Sequence, residues 1–319
     1  MKIPNDTGGY WRKNKLVEYI YSFPDEIGPL MKEFFKSKSY NKDRQVWWIF
    51  LYSTSYCMGT ACVMAEKLNY KTVTLSQLEN FWAENKKKLL FQSDRRPVKN
   101  MNQFTEIVWE FLERSKRNPW EYLRRFFRAT PEETYETLHE EITSWRHYGD
   151  FSAILFMYNT SKLLGIPVDS PNYDWTKYAT TTAALFNADY QDERADSLER
   201  KPVLSSEEKT WLDSQLKRVM KVLKKRHPER KWTFIGVTSD LCSYRKLFKK
   251  TRYLGYYVDR QQEELSILGR NYPEYKSIWS GFWNWRKQKL PKEFLGELNG
   301  WEGVQKERYK AWVTKGVFR

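Results

Sequence analysis

The sequence predicts a mainly α-helical fold, a multi-helical globular bundle with at most a few short strands. Apolar residues recur at helical spacing along most of the chain, and capping residues precede several of these stretches. Of the 319 residues, 40% are hydrophobic and 30% are charged. This balance is typical of a folded globular protein.

Two stretches are apolar on nearly all sides and therefore predict buried central helices. The first covers residues 45–68 and contains several small side chains, and the second covers residues 151–164, with Gly165 at its end. The strand signals are weak by comparison, and residues 71–75 and 232–237 are the only candidates.

Other stretches are apolar on one side only, as expected of helices at the surface of a bundle. One lies within residues 104–112. A second begins at Thr130, which is placed to form a capping box with Glu133. A third runs from Ser205 to about His227, where a proline follows.

A polar, charged stretch over residues 187–206 is the best candidate for a domain boundary. It divides the chain into a helical core, residues 1–190, which carries the candidate active site, and a basic, aromatic-rich helical region, residues 191–319. We expect these two parts to pack together as one compact unit.

Charge and aromatic content indicate the kind of partner. The chain carries 55 Lys and Arg residues against 40 Asp and Glu, a formal net charge of +15, and 17% of its residues are aromatic. Cations bind phosphates, and flat rings stack on exposed bases. We expect most rings to lie in the core, but the combination still favours nucleic acid as the partner.

The remaining sequence features exclude several classes of protein. Three cysteines without paired spacing predict a reducing, cytoplasmic environment and no disulfide framework. The first residues contain no apolar signal region and no apolar run is long enough to span a membrane, so no membrane contact is expected. P-loop, Rossmann, nucleophile-elbow and zinc-deaminase motifs are missing. Any catalysis therefore has to rest on Arg, Lys, Asp, Glu and Tyr.

The segment over residues 93–99 is the candidate phosphate site. It carries Arg95, Arg96 and Lys99 around a proline. Because the guanidinium fork matches phosphate oxygens, we expect these cations to converge on a phosphate or pyrophosphate. The alternative interpretation is a charged segment that faces solvent.

A second candidate lies where Gly149 separates two predicted helices. Asp150 follows the glycine and is expected either to cap the next helix or to act as a base at the mouth of the core. Arg146 lies in the same corner. Asp174 begins another predicted helix and is a second candidate base. The side chains expected to stack on an extruded base are Tyr148, Trp175 and Tyr178.

Two further groups of charged residues lie in the C-terminal part. Asp259 and Glu263 share a helix face around Arg260, which suits a divalent ion or proton transfer, although such pairs more often bridge to arginine. The helix that starts at Ser205 carries lysines opposite its apolar stripe, and a face of one sign suits the DNA backbone. The expected backbone contacts are Lys217, Lys221, Lys224, Lys225, Arg245 and Lys246.

Four of these segments carry a resemblance when they are taken together. Residues 94–96, 145–152, 174–175 and 255–264 read Asp-Arg-Arg, Trp-Arg-x-x-Gly-Asp-Phe-Ser, Asp-Trp and Gly-Tyr-Tyr-x-Asp-Arg-x-x-Glu-Glu. The set resembles the phage amino acid:DNA transferases, which are related to the α-glutamyl/putrescinyl thymine pyrophosphorylases. The resemblance extends over roughly residues 40–290.

The resemblance implies an enzyme of thymine hypermodification with a helical, glycosylase-like fold, although the chain lacks a clean Leu-Pro-Gly-x-Gly hairpin loop. Its substrate is double-stranded DNA in which 5-hydroxymethyluracil is activated as a pyrophosphate ester. The amine of an amino acid or polyamine then displaces pyrophosphate. On this scheme Arg95, Arg96 and Lys99 stabilise the leaving group, and Asp150 or Asp174 removes the amine proton. No cofactor is required, and Mg²⁺ on the pyrophosphate is compatible with the scheme.

Two other functions fit the same residues. One is a glycosylase-like enzyme or lyase that excises a modified base, and the other is a non-catalytic phage protein that binds DNA. The expected location is the cytoplasm, which is that of a host cell if the chain is phage-encoded.

Overall fold

Regular structure in the computed structural model is entirely helical over the residues that it describes, 28–91, 103–171, 205–248 and 256–289. The predicted α-helical class is confirmed, and no strand occurs within these ranges. The helices are α1 Gly28–Ser37, α2 Lys42–Ser55, α3 Met58–Lys67, α4 Leu75–Asn85, α5 Phe104–Arg114, α6 Pro119–Arg124, α7 Pro131–Thr143, α8 Asp150–Leu164, α9 Ser206–Arg226, α10 Phe234–Phe248, α11 Tyr256–Asn271 and α12 Lys276–Lys289, with a 3-10 turn at Pro273–Tyr275.

The two candidate strands are wrong, because their β-branched residues act as helix caps. In residues 71–75, Thr74 caps α4 through a capping box with Gln77. In residues 232–237, the Thr233 hydroxyl accepts the amide three residues further on, at 3.1 Å, as α10 begins. A threonine that bonds the first turn of a helix favours that helix over an extended strand.

The expected single helix over residues 45–68 is two helices, α2 and α3. Tyr56 interrupts it with a left-handed backbone, φ 52°. The Ser55 hydroxyl donates to the Leu51 carbonyl at 2.8 Å and accepts the Cys57 amide at 3.3 Å, which stabilises the break. The burial pattern was nevertheless predicted correctly, since every residue of α2 from Val46 onwards is buried.

Three other helix boundaries agree with the sequence. Thr130 and Glu133 form the expected capping box at the start of α7. Helix α8 ends at Gly165, which has φ 74°, a conformation that glycine adopts without strain. Helix α9 buries its apolar stripe, which consists of Leu212, Leu216, Val219, Met220 and Leu223.

Helix α2 lies at the centre of the core and packs against α3, α6 and α8. Its rings meet those of α5, where Phe50 and Phe111 stack with centroids 4.0 Å apart. Trp145 and Phe156 pack edge-on against the same pair. Many of the chain's rings therefore stabilise the core, as composition alone would lead one to expect.

The described residues divide into two compact units. Residues 28–168 and 257–289 form one, which we call the main unit, and residues between 169 and 248 belong to the second. Helix α11 packs on α3 and helix α12 packs on α1, so both late helices belong to the main unit. None of the described helices has the length and apolar character that crossing a bilayer requires.

Two contacts show how closely these late helices pack. A Cβ added at Gly59 would lie 2.4 Å from Leu268 of α11, so only glycine permits this approach of α3. Phe34 of α1 stacks on Phe282 of α12 with ring centroids 5.4 Å apart.

Candidate active site and basic helix face

The chain between α7 and α8 forms a corner, residues 144–150, that a carboxylate of α5 holds in place. Glu110 accepts the backbone amide of Arg146 on Oε2 at 2.6 Å. Its Oε1 accepts Nε of Arg114 at 2.9 Å. One side chain therefore fixes the corner to α5, which the sequence predicted as an amphipathic helix without a role in the site.

A second carboxylate of α5, Glu106, binds the exposed side chains of the corner. Its Oε2 lies 3.3 Å from Nε2 of His147 and 3.5 Å from Nη1 of Arg146. His147 has φ 62°, a left-handed conformation that costs roughly 1 kcal/mol or more for a residue with a Cβ. The contact with Glu106 helps to hold it there.

Glu141 of α7 is the buried end of the same network. Its Oε1 accepts the Tyr122 hydroxyl at 2.5 Å, Nη1 of Arg114 at 3.0 Å and the Trp145 indole N–H at 3.2 Å. Burial and the hydrogen bond to Glu141 raise the pKa of Tyr122. These bonds fix the ring of Trp145, the first large side chain of the corner.

Asp150 is the first residue of α8, and Gly149 before it is the N-cap. The capping role expected for Asp150 therefore falls to the glycine, which has no side chain to use. The Asp150 side chain is 57% exposed, and its Oδ1 lies 3.6 Å from Nε2 of His139 on α7. The N-terminus of a helix is a favourable place for a carboxylate because of the helix dipole. Asp150 is thus an accessible anion beside an imidazole.

Tyr148 does not have the exposure that stacking on a base requires. It is 2% exposed and packs against Phe50 and Trp145 in the aromatic core. Its hydroxyl has no hydrogen bond of regular geometry, although Thr54 lies beside it, and burial raises the pKa of Tyr148. Because Tyr148 precedes a glycine, we expected its ring to be exposed. The ring is instead buried among apolar side chains of the core.

The segment with Arg95, Arg96 and Lys99 lies outside the described residues, but both of its flanks are described. Phe91 and Phe104 pack edge-to-face with ring centroids 5.5 Å apart, and both contact Trp82. The two described flanks of the segment therefore meet at the start of α5. Three further predicted site residues also lie outside the described part of the chain. They are the candidate base Asp174 and the candidate stacking residues Trp175 and Tyr178.

The expected carboxylate cluster on α11 has a different arrangement. Glu263 is exposed, and the side chain of Asp259 lies outside the described set. Arg260 pairs instead with Glu264, one turn away, at 3.2 Å. Glu264 is only 7% exposed and lies near Cys57, whose thiol pKa is raised by burial and then by the Glu264 charge. A thiol held protonated in this way is not a nucleophile at neutral pH.

Helix α9 carries the expected one-signed face. The residues after Asp213 include no acid, and none of the exposed cations forms an ion pair within the described part of the chain. At 1.5 Å per residue, the positions from 217 to 225 span about 12 Å. The side chains of Arg245 and Lys246, on α10, lie outside the described set. The exposed cations of this α9 face are Lys217, Arg218, Lys221, Lys224, Lys225 and Arg226.

Metal ligation has no support from the described side chains. Among them, no group of three or more His, Cys, Asp or Glu residues is placed to hold an ion. Cys57 and Cys62 are free thiols in the core.

Sequence reasoning missed four residues of the corner network: Glu106, Glu110, His139 and Glu141. A weak signal existed for two of them, since Glu106 and Glu110 are one turn apart on the polar side of α5. His139 carried no such signal in the sequence, because its contact with Asp150 depends on how α7 and α8 pack.

Comparison of the chain with protein-family models, with curated proteins and with solved structures gave no match. The functional assignment therefore rests on the residues themselves.

Proposed function

We propose that the protein is a DNA-modifying transferase that replaces pyrophosphate on activated 5-hydroxymethyluracil with the amine of an amino acid or polyamine. The observation that carries the proposal is the position of Asp150. It is an exposed carboxylate in a rigid corner, and that corner is bonded to α5, the helix that follows the segment with Arg95 and Arg96 in the chain.

Two contacts at the start of α5 support this pairing of base and phosphate site. Phe104, on the C-terminal flank of the segment, packs on Phe91 of the N-terminal flank. Glu106, two residues later, contacts Arg146 and His147 of the corner. The C-terminal flank of the arginine-bearing segment therefore leads directly into the helix that contacts the corner, which supports a site that combines an amine base with a pyrophosphate-binding group.

The proposed reaction breaks a C–O bond and forms a C–N bond at the methylene carbon of the base. Pyrophosphate leaves with the electron pair, and the amine loses one proton to Asp150, with Asp174 as the alternative acceptor. Arg95, Arg96 and Lys99 stabilise the charge on the leaving group. Arg146, exposed in the corner, adds positive potential. Of the proposed stacking residues, Trp175 and Tyr178 are favoured over the buried Tyr148.

The α9 face is the proposed contact with the DNA backbone. Helix-dipole stabilisation accounts for cations in its last turn, where Lys224, Lys225 and Arg226 lie. The helix dipole does not account for Lys217 and Lys221, which lie before the last turn of α9. Because each phosphate contact releases a counterion, the affinity for DNA should fall steeply with salt.

The decisive experiment is mass analysis of nucleosides after reaction of the protein with duplex DNA carrying pyrophosphorylated 5-hydroxymethyluracil. A panel of amino acids and polyamines is supplied, with and without Mg²⁺. The proposal predicts a base with one added amine and release of one pyrophosphate. Arg95→Ala or Arg96→Ala should abolish this product and leave DNA binding nearly intact.

Other products would assign a different function. Abasic sites without an added amine mass would indicate a glycosylase-like enzyme or lyase. Salt-sensitive binding without any change in the DNA would indicate a non-catalytic DNA-binding protein. Either result overturns the transferase.

The α9 face is tested by replacing Lys217, Lys221 and Lys224 with Gln. The slope of log affinity against log salt should become shallower by about 0.9 for each phosphate that the helix no longer binds. A control with the same change in net charge replaces exposed lysines of the main unit, Lys32, Lys36 and Lys276, and should keep the slope of the unmodified protein.

A further inference from the structure

Helix α7 has two sides with different neighbours. On one side, the Thr137 hydroxyl donates to the Phe126 carbonyl, and Glu141 accepts the Tyr122 hydroxyl. Position 139 lies about 200° around the helix from Thr137, on the other side. There His139 meets α8, which packs against α7. The side of α7 that faces the start of α8 therefore carries an imidazole.

The imidazole of His139 has a defined orientation beside Asp150. Its ring stacks on that of Tyr135, one turn earlier, with centroids 5.6 Å apart and an angle of 16° between the planes. Nε2 of His139 lies 3.6 Å from Oδ1 of Asp150, and the two side chains are 31% and 57% exposed. The pair is therefore ordered by its neighbours and at the same time accessible from solvent.

The charges around His139 favour proton uptake by its ring. Asp150 is the charged group that faces the imidazole from α8. On α7 itself, Glu136 and Glu140 lie within one turn of His139, and both are exposed. The side chains of residues 146–147 in the corner contact a carboxylate of α5 instead. Carboxylates near an imidazole stabilise its protonated form.

We propose that His139 and Asp150 act as one acid–base pair, in which the imidazole receives the proton that the carboxylate takes from the amine. The inference rests on the proposed function for the reaction, while the sharing of a proton within the pair is testable without it. As the C–N bond forms, the amine nitrogen gives one proton to Asp150, and this proton passes to Nε2 of His139. The imidazolium then releases the proton to water, which restores the pair.

An imidazole makes a carboxylate a more effective proton acceptor. In model compounds an imidazole binds a proton about 2–3 pH units more tightly than a carboxylate does. Proton transfer that ends on the imidazole is more favourable by that difference. The distance between Nε2 and Oδ1 is long for a hydrogen bond, as is common in enzymes without their substrate. In this scheme His139 acts through Asp150 and does not itself contact the amine.

The first test follows the imidazole signals by NMR during a pH titration and needs no DNA. The chain contains three histidines, so the signal that is missing from His139→Gln identifies His139. The midpoint of its titration should fall by about half a pH unit in Asp150→Asn, because the facing negative charge is lost. Glu132→Gln removes an exposed charge from the first turn of α7 and should leave the midpoint unchanged.

The second test is the rate of amine transfer against pH, expressed per concentration of unprotonated donor amine. In the unmodified protein this rate should decline below the titration midpoint of His139. His139→Gln keeps a hydrogen-bond donor for Asp150 but cannot take up a proton. Its rate should be about 10-fold lower at pH 8, a part of the roughly 100-fold or more that acid–base catalysis contributes, and should not decline at that midpoint.

Two further variants separate a shared role from independent ones. Adding His139→Gln to Asp150→Asn should cost little beyond the loss in Asp150→Asn alone, because the two groups act as a unit. His227→Gln replaces a histidine of the second compact unit and should keep the rate and the pH profile of the unmodified protein.

The inference is overturned if His139→Gln keeps both the rate and the pH profile of the unmodified protein. It is equally overturned if the titration midpoint of His139 is the same with and without the Asp150 charge. Either result leaves the transferase proposal standing wherever the amine adduct still forms. Absence of the adduct from every protein would overturn the transferase, while a shifted midpoint would still support the proton-sharing pair.

Discussion

The guanidinium of Arg114 joins two helices through Glu141, with Nη1 of Arg114 3.0 Å from Oε1 of that carboxylate. The same guanidinium contacts Glu110 at 2.9 Å, on its own helix. Since Glu110 also binds the Arg146 amide, this one cation pairs with two carboxylates that together fix the corner. The geometry around Asp150 thus depends on a half-buried ion-pair network and not on the length of the connection.

Replacing Glu141 should therefore destabilise the protein more than replacing a neighbouring glutamate. Glu141→Ala leaves the buried Tyr122 hydroxyl without its acceptor and removes one acceptor each from Trp145 and Arg114, and we expect a loss of about 2–3 kcal/mol in the free energy of unfolding. Glu141→Gln keeps the acceptor oxygen and should cost less. Urea unfolding measures both, with the exposed Glu140→Ala as control, expected within about 0.5 kcal/mol. Equal losses for Glu140 and Glu141 would contradict the network.

Gly59 should not tolerate even a methyl group. A Cβ there would lie 2.4 Å from Leu268 and 3.0 Å from Leu265, so Gly59→Ala should cost about 1–3 kcal/mol by overpacking. Because Leu268→Ala alone leaves a cavity, the double variant should lose less in urea unfolding than the sum of the two single losses. Gly149 has nothing within 4 Å of an added Cβ, and Gly149→Ser should be neutral or slightly stabilising because serine caps α8.

Stability should fall in alkali because buried tyrosines resist ionisation. Burial raises the pKa of Tyr122 and of Tyr148, and it raises the pKa of Tyr272 to about 12. The unfolded chain ionises near pH 10, so the stability is fully present below that pH and is lost as the pH rises through the folded pKa values. Each such group lowers the free energy of unfolding by about 1.4 kcal/mol per pH unit in that window.

The check is urea unfolding at pH 8 and at pH 11. Tyr148→Phe removes one hydroxyl whose pKa is raised by burial. The Tyr148→Phe variant should therefore lose less stability between the two pH values than the unmodified protein. At pH 8 the same change should cost little, because the Tyr148 hydroxyl has no regular hydrogen bond to lose. An unaltered pH dependence in this variant would contradict the assignment.

Asp150→Asn should separate catalysis from stability. The side chain is 57% exposed, so losing its charge removes helix-dipole stabilisation and weakens the contact with His139, and we expect a loss of about 0.3–1 kcal/mol in the free energy of unfolding. As the proposed proton acceptor it should contribute at least about 100-fold to the rate of amine transfer. Glu132→Gln makes the same kind of change in the first turn of α7 and should leave transfer unchanged. A normal transfer rate in Asp150→Asn would remove Asp150 from the mechanism and leave Asp174.

The sequence predicted the helices well where local chemistry determines them. The capping box at Thr130 and the glycine end of α8 at Gly165 both depend on residues within one turn, and both are confirmed. The break at Tyr56 was not predictable, because tyrosine in a left-handed conformation has no sequence signature. The threonines at 74 and 233 misled the strand prediction since β-branched residues favour strands and also cap helices.

The site was predictable only in part for a similar reason. Asp150 was identified because it follows a glycine between two apolar stretches, which is local information. Its setting comes from side chains far along the chain: Glu110 is 36 residues from Arg146, and Glu106 is 41 residues from His147. Such contacts depend on helix crossing angles, which a single sequence does not encode in any readable pattern.

The ring contact between Phe91 and Phe104 has a consequence for how the protein changes over time. Because those rings pin both ends of the intervening stretch, the cost of closing it grows only by about 0.6 kcal/mol for each doubling of its length. Changes in the length of that stretch therefore leave the aromatic core intact, while the proposed reaction constrains Arg95, Arg96 and Lys99 within it. Specificity for a new donor or anion is then free to diversify on an unchanged helical scaffold.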